Sequence, residues 1–323
     1  DTYHLLLEGD VEFEDLSPSL TLLRKEGRSL LGNREHFDPE WLTLDPSSEL
    51  ERRLGFFAAL PDFGVTEDSR RKALAKACSQ LKGQIYSPYE NFPYHWTTPD
   101  RWPHRAMWLW DSVFHAIGLR HLDWNLAKES LAAVLAFQQE DGLIPHRMSP
   151  VNHSQITQPP ILAFGIRLLC GTRLDEEFLR DSYPRLKRYL EWIMKHRDSD
   201  GGGLVEWAIE GDPLCRSGES GMDNSPRFDS ALDATDFNAY LSLEFECMAE
   251  FAEILALKED VKYWNDLHSL WNARINERLW NEKEGLYMDF DLHSGEQTGV
   301  AASSGFLPLI CGAPSREQAE KLL

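Results

Sequence analysis

Leu179, Tyr183, Leu186, Leu190 and Ile193 recur at spacings of 4, 3, 4 and 3. That is the rhythm of a helix with one apolar face, and a half-buried strand cannot carry it. The rhythm returns in Leu241, Phe245, Met248, Ala252 and Leu255, and again in Trp264, Leu267, Trp271 and Ile275. A chain with several such stripes must bury them against one another, so helix pairing governs its fold.

Further helices are predicted around these three. Thr66-Glu67-Asp68 offers an N-cap and Gly83 a stop, around Ala73, Ala77 and Leu81. Trp110 to Leu122 and Asn125 to Gln139 follow, the latter ended by Asp141-Gly142. Gln158-Pro159-Pro160 opens another that runs to Cys170, and a last one begins at Ser315. About eight or nine helices are expected in all. They are joined alternately by short turns and by long Gly/Pro/aromatic loops, at 83–109, 140–157, 198–233 and 284–302. Long loops in a compact domain are usually functional. If the helices pair antiparallel, loops of one parity gather on one face, which describes an α-helical toroid with its site on one rim. Residues 1–62 differ, because Thr2 to Leu7 and Leu20 to Leu23 are short, strand-like and separated by polar turns. Two domains are expected: a β-rich or irregular segment over 1–62 and a helical domain over 63–323.

The net charge of −20 argues against nucleic acid, whose phosphates demand a basic face, and against an anionic membrane surface. A neutral ligand such as a sugar is compatible with it. No apolar run of about 18 residues predicts a transmembrane helix. Cys78, Cys170, Cys215, Cys247 and Cys311 are widely spaced with no CxxC pair, so no zinc site is expected. They read as buried thiols in a reducing, cytoplasmic setting. No leader is visible, although one could have been removed ahead of Asp1.

The densest chemistry lies between Glu219 and Asp229, in Glu-Ser-Gly-Met-Asp-Asn-Ser-Pro-Arg-Phe-Asp. Carboxylates, an Arg and an amide share a loop that Gly and Pro keep out of any helix. A second loop, Trp108-Leu109-Trp110-Asp111, sets indoles beside another carboxylate. Flat apolar faces for a ring and acids for a bond are what sugar cleavage needs. Asp223 could serve as a general acid if burial, Glu219 or Asp229 raises its pKa. The same loop could instead be held by Asx-turns and an Arg–Asp pair. Asp111 could cap the following helix, or accept hydroxyls from a sugar stacked on Trp108 and Trp110. His146 reads as satisfying a loop carbonyl, and Gln158 stands at a helix start where its amide could point into a site. Asp198-Ser199-Asp200-Gly201-Gly202-Gly203-Leu204-Val205-Glu206 has oxygen ligands at alternate positions, as calcium loops do, but lacks the full pattern. It is read first as a helix-to-loop turn. No cofactor is required, and a structural calcium in that loop is the one metal considered. GxSxG, P-loop, GxGxxG and HExxH motifs do not occur.

Trp108-Leu109-Trp110-Asp111-Ser112, Gln139 to Pro145, Thr157-Gln158-Pro159-Pro160 and Glu219 to Arg227 together resemble, in this order, glycoside hydrolase family 63. Asp233 to Tyr240 and Gly305 to Leu309 look like further segments of that family, and the resemblance spans residues 66 to 323. The family includes bacterial α-glucosidases, processing α-glucosidase I, and the mannosylglycerate and glucosylglycerate hydrolases, with trehalases more distant. The resemblance implies an all-α, (α/α)6 toroid and inverting hydrolysis of a terminal α-linked glucose or mannose. Asp223 matches the general acid. Trp108, Trp110 and Asp111 match residues that hold the terminal sugar, and Gln158 and Gly221 match further contacts. Glu219 and Arg227, in the acid's own loop, are expected among the substrate-binding groups. The family's general base is a Glu in a later segment, and no match to that segment is found. Twelve helices are needed for the toroid, so the chain is expected to be incomplete on its C-terminal side. The alternatives are a non-catalytic sugar-binding protein on the same scaffold and, for a helical toroid more generally, a sugar epimerase or lyase. The last would need a His or Tyr base, which the 219–229 loop lacks.

Overall fold

The protein is described from a computed structural model over residues 3–89, 91–208, 218–222, 225–227 and 231–323. Two compact units divide it, Asp1–Lys82 and Gly83–Leu323.

In the first unit, β1 (His4–Glu8), β2 (Leu20–Lys25) and β3 (Arg28–Asn33) form an antiparallel sheet in the order β1-β3-β2. Lys25 pairs with Arg28, so Glu26 and Gly27 make a two-residue turn. Both hold positive φ, at 53° and 75°, the geometry that matches the twist of a tight hairpin. Two helices follow, α1 (Pro46–Ala58) and α2 (Asp68–Gly83). Asp45 caps α1 through the N–H groups of Ser47 and Ser48, and Pro46 occupies the first helical turn, where no N–H is needed.

The second unit is built from α3 (Leu109–Leu119), α4 (Trp124–Ala136), α5 (Leu162–Cys170), α6 (Glu176–His196), α7 (Thr235–Ile254), α8 (Lys258–Leu279) and α9 (Arg316–Leu322). Nine α-helices are thus present among the described residues of the chain. The stripes behave as their spacing predicts. Leu179, Tyr183, Leu186, Leu190 and Ile193 are all buried on α6, and Leu241, Phe245, Met248 and Ala252 on α7. Trp264, Trp271 and Ile275 bury the matching face of α8. There α7 packs along α8, and Phe245 stacks on Trp264 with ring centroids 5.7 Å apart. Pro184 lies inside α6 at an exposed position, so the ring's missing N–H falls on the solvent face.

Connections alternate in length. Short ones join α3 to α4, α5 to α6 and α7 to α8, and long ones span 137–161, 197–234 and 280–315. The long loops meet one another. Met107–Trp108 pairs with Arg147–Met148, and Leu232–Asp233 pairs with Phe290–Asp291. Such a gathering of loops is what antiparallel helix pairs in a toroid impose. None of the described helices is long and apolar enough to cross a membrane.

Candidate active site

The Trp108 segment runs as a two-residue strand directly into α3. Trp108 is the N-cap residue, with φ −116° and ψ 140°, and its side chain accepts no capping bond. A helix start without a side-chain cap must find acceptors elsewhere for its first N–H groups. Leu109 donates to the His146 carbonyl at 2.9 Å. Trp110 donates to Gln158 Oε1 at 3.0 Å. Gln158 therefore caps α3 from a distant loop. The helix expected to open at Gln158 begins instead at Leu162, because two successive prolines hold the residues before them extended. The N-cap reading of Asp111 is likewise corrected. Asp111 sits in the first turn of α3, half-buried, where a carboxylate faces the positive end of the helix dipole.

Trp108 presents its indole edge-on to His146, with centroids 5.0 Å apart, and lies 6.2 Å from His104. Burial lowers the His146 pKa to about 4, so this ring is neutral at pH 7.

Gly221 reaches the other indole. It holds φ at +66°, and a Cβ there would overlap the Trp110 ring. Only glycine meets both conditions. Trp110 thus joins Gln158 by its N–H and Gly221 by its ring, and three of the expected sugar contacts converge. Asp223 and Asp229 lie outside the described residues.

Glu219 and Arg227 are placed in the interior rather than at a ligand surface. Glu219 is fully buried. Its Oε1 accepts from Thr157 N–H at 2.8 Å and Arg197 Nη2 at 2.5 Å. Its Oε2 accepts from Arg197 Nε at 2.6 Å and Ala208 N–H at 2.7 Å. Four donors on two oxygens leave no acceptor direction for a sugar hydroxyl. Arg227 donates to Asp236 at 2.8 and 3.2 Å and to Asp289 at 2.5 and 2.7 Å, and lies 4.7 Å from the Trp207 ring centre. The Arg–Asp pair considered from sequence exists, but with partners from α7 and from the loop after α8. Arg197 and Asp289 carry no local motif, so sequence reasoning passes over both.

Two other buried carboxyls stand out. Glu244 of α7 accepts the N–H groups of Ala163 and Phe164 at 2.8 and 2.7 Å, capping α5 as Gln158 caps α3. Burial lifts its pKa to about 7. Burial also pushes Asp233 up to about 7, against the opposing pull of Arg278, whose Nε lies 2.8 Å away. In the suspected calcium loop, Asp198, Asp200 and Glu206 bring one oxygen each within 4.8 Å of the others. Each of the three carboxylates already accepts N–H bonds, from Gly203, Gly202 and Ser199 respectively.

The long loops of the helical unit thus bring Trp110, Gln158 and Gly221 together over buried carboxylates. The family model for the mannosylglycerate hydrolase MGH1-like glycoside hydrolase domain matches residues 103–323, and the chain belongs to that family, within glycoside hydrolase family 63. A mannosylglycerate hydrolase of Thermus thermophilus is 27% identical over 70% of this chain and 72% of its own length. A glucosylglycerate hydrolase of Mycolicibacterium hassiacum is 32% identical over 41% of this chain and 35% of its own. Among solved structures, the Thermus thermophilus mannosylglycerate hydrolase in complex with glucose superposes with a TM-score of 0.66 at 25% identity, covering 76% of this chain and 73% of that one. Neutral trehalase of Saccharomyces cerevisiae shares the fold, with a TM-score of 0.62 at 16% identity over 71% of this chain and 54% of that one.

Proposed function

We propose that this protein hydrolyses a terminal α-linked glucose or mannose from an oligosaccharide or small glycoside, with inversion at C1. Asp223 gives its proton to the leaving oxygen as the C1–O bond breaks. Water attacks the opposite face, and a carboxylate base takes the water's proton, the two carboxyls standing about 6.5–9.5 Å apart. Trp108, Trp110, Asp111, Gln158 and Gly221 hold the sugar. The observation that supports this most is the meeting on Trp110 of Gln158 Oε1 at 3.0 Å and of Gly221 against the ring. Three distant segments build one aromatic platform two residues from the proposed acid in the chain. The names of the relatives favour a small glycoside, with glycerate as one aglycone.

Asp233 and Glu244 are not assigned as the base, since both are spent on interior partners. No cofactor enters the reaction. Calcium at Asp198, Asp200 and Glu206 is kept as a structural proposal. The free Cys78, Cys170, Cys247 and Cys311 support a reducing, cytoplasmic setting. Asp223→Asn is expected to lower kcat on a glycoside with a poor leaving group about 10²- to 10⁴-fold, the usual worth of a general acid, while sparing sugar binding. Steady-state kinetics with calorimetric binding checks it, and a variant of near-normal rate removes the acid assignment.

A further inference from the structure

We propose that the Arg197–Glu219 ion pair is a positioning device for the loop that leads to Asp223, holding its Glu219–Gly221 stretch against the Trp110 ring. The inference rests on the hydrolase reading above, with Asp223 as acid. Neither residue of the pair touches the substrate.

The geometry is that of a datum point. Arg197 is the C-cap residue of α6, and its guanidinium lies 4.6 Å from the Trp192 ring centre, which fixes its plane. Both carboxylate oxygens of Glu219 sit in that fork. The remaining acceptor directions take Thr157 N–H and Ala208 N–H, and Glu219 N–H returns a bond to the Ala208 carbonyl at 3.0 Å. Thr157 Oγ1 lies 2.6 Å from Tyr189 Oη, a second tie to α6.

Two chain paths lead from this node to Trp110. One residue beyond Thr157 is Gln158, which caps α3 at the Trp110 N–H. Two residues beyond Glu219 is Gly221, pressed on the Trp110 ring. Asp223 follows two positions later in the sequence. One carboxylate therefore fixes both segments that meet at the indole. Packing alone does not call for charges here. A buried ion pair is generally no more stabilising than apolar side chains of the same volume. A bidentate fork with two further N–H donors supplies directional constraint, which an acid needs to stay on the leaving oxygen.

The test compares two substrates in the full chain: an alkyl α-glycoside, whose oxygen must be protonated to leave, and the α-glycosyl fluoride of the same sugar. In the fluoride, C1–F breaks with departure of fluoride ion, and proton donation matters far less. Glu219→Gln and Arg197→Lys are each expected to lower kcat on the alkyl glycoside about 10- to 100-fold, with KM and fluoride turnover changed no more than about threefold. Circular dichroism confirms folding, and Arg197→Lys decides the matter if Glu219→Gln does not fold. Equal losses on both substrates, or no loss on either, overturn the proposal. Asp223→Asn is run beside them. If it discriminates between the substrates and the pair variants do not, the positioning role alone falls. If Asp223→Asn itself loses nothing, the acid reading falls and the positioning role with it.

Discussion

Gly221 carries two demands at one position: a left-handed backbone at φ +66° and the Trp110 ring where a Cβ would stand. A left-handed conformation costs an L-residue about 1–2 kcal/mol, and the overlap must be relieved by moving the indole. Gly221→Ala is therefore expected to lower stability by at least that amount. It is also expected to raise KM for the sugar about tenfold, a change worth roughly 1.4 kcal/mol. Urea midpoints and initial rates check the two effects separately. The family resemblance names Trp110, Gln158 and Gly221 together, and the structure brings these three into contact. The order of the motifs that carry them, Trp108 to Ser112, Thr157 to Pro160 and Glu219 to Arg227, is what marks them together. Glu219 and Arg227 show where such reading stops. A charged residue in a polar loop looks solvent-facing until its partners are known. Here the partners are Arg197 on another element, and Asp236 and Asp289 from two others.

The elements follow the sequence closely where the apolar rhythm is long. Buried stripes on α6, α7 and α8 fall at the predicted positions, except that Leu267 of α8 is only half-buried. Starts of helices are less legible, because α3 and α5 take their caps from Gln158 and Glu244 on other elements, and the one local candidate, Asp111, lies inside the first turn of α3. The long loop before α7 carries a titration that can be measured. Asp233 rises from an ordinary 3.8 to about 7 through burial. Its folded form keeps a proton that the unfolded chain has already lost, so this group's contribution is fully present below about pH 4 and falls as pH rises to about 7. Asp233→Asn removes that slope. The difference in unfolding free energy between variant and parent is expected to move toward the variant across this window, by the order of 2–4 kcal/mol. Denaturant melts at three pH values read it, and parallel pH profiles for the two proteins would contradict it.

For the whole molecule, alternating short and long connections decide what the fold can do. Pairing of helices sends the long loops to meet each other, so residues far apart in sequence form one platform at Trp110. Membership in the family, shown over residues 103–323, agrees with that construction. The reaction's stereochemistry follows from where the base stands, because an inverting site must leave room for water on the face opposite the acid. Proton NMR of the first sugar released from an α-glycoside, recorded before mutarotation, tests this most directly. Hydrolysis by the arrangement proposed here yields the β-anomer first; an α-anomer as first product, or no release of sugar, contradicts it.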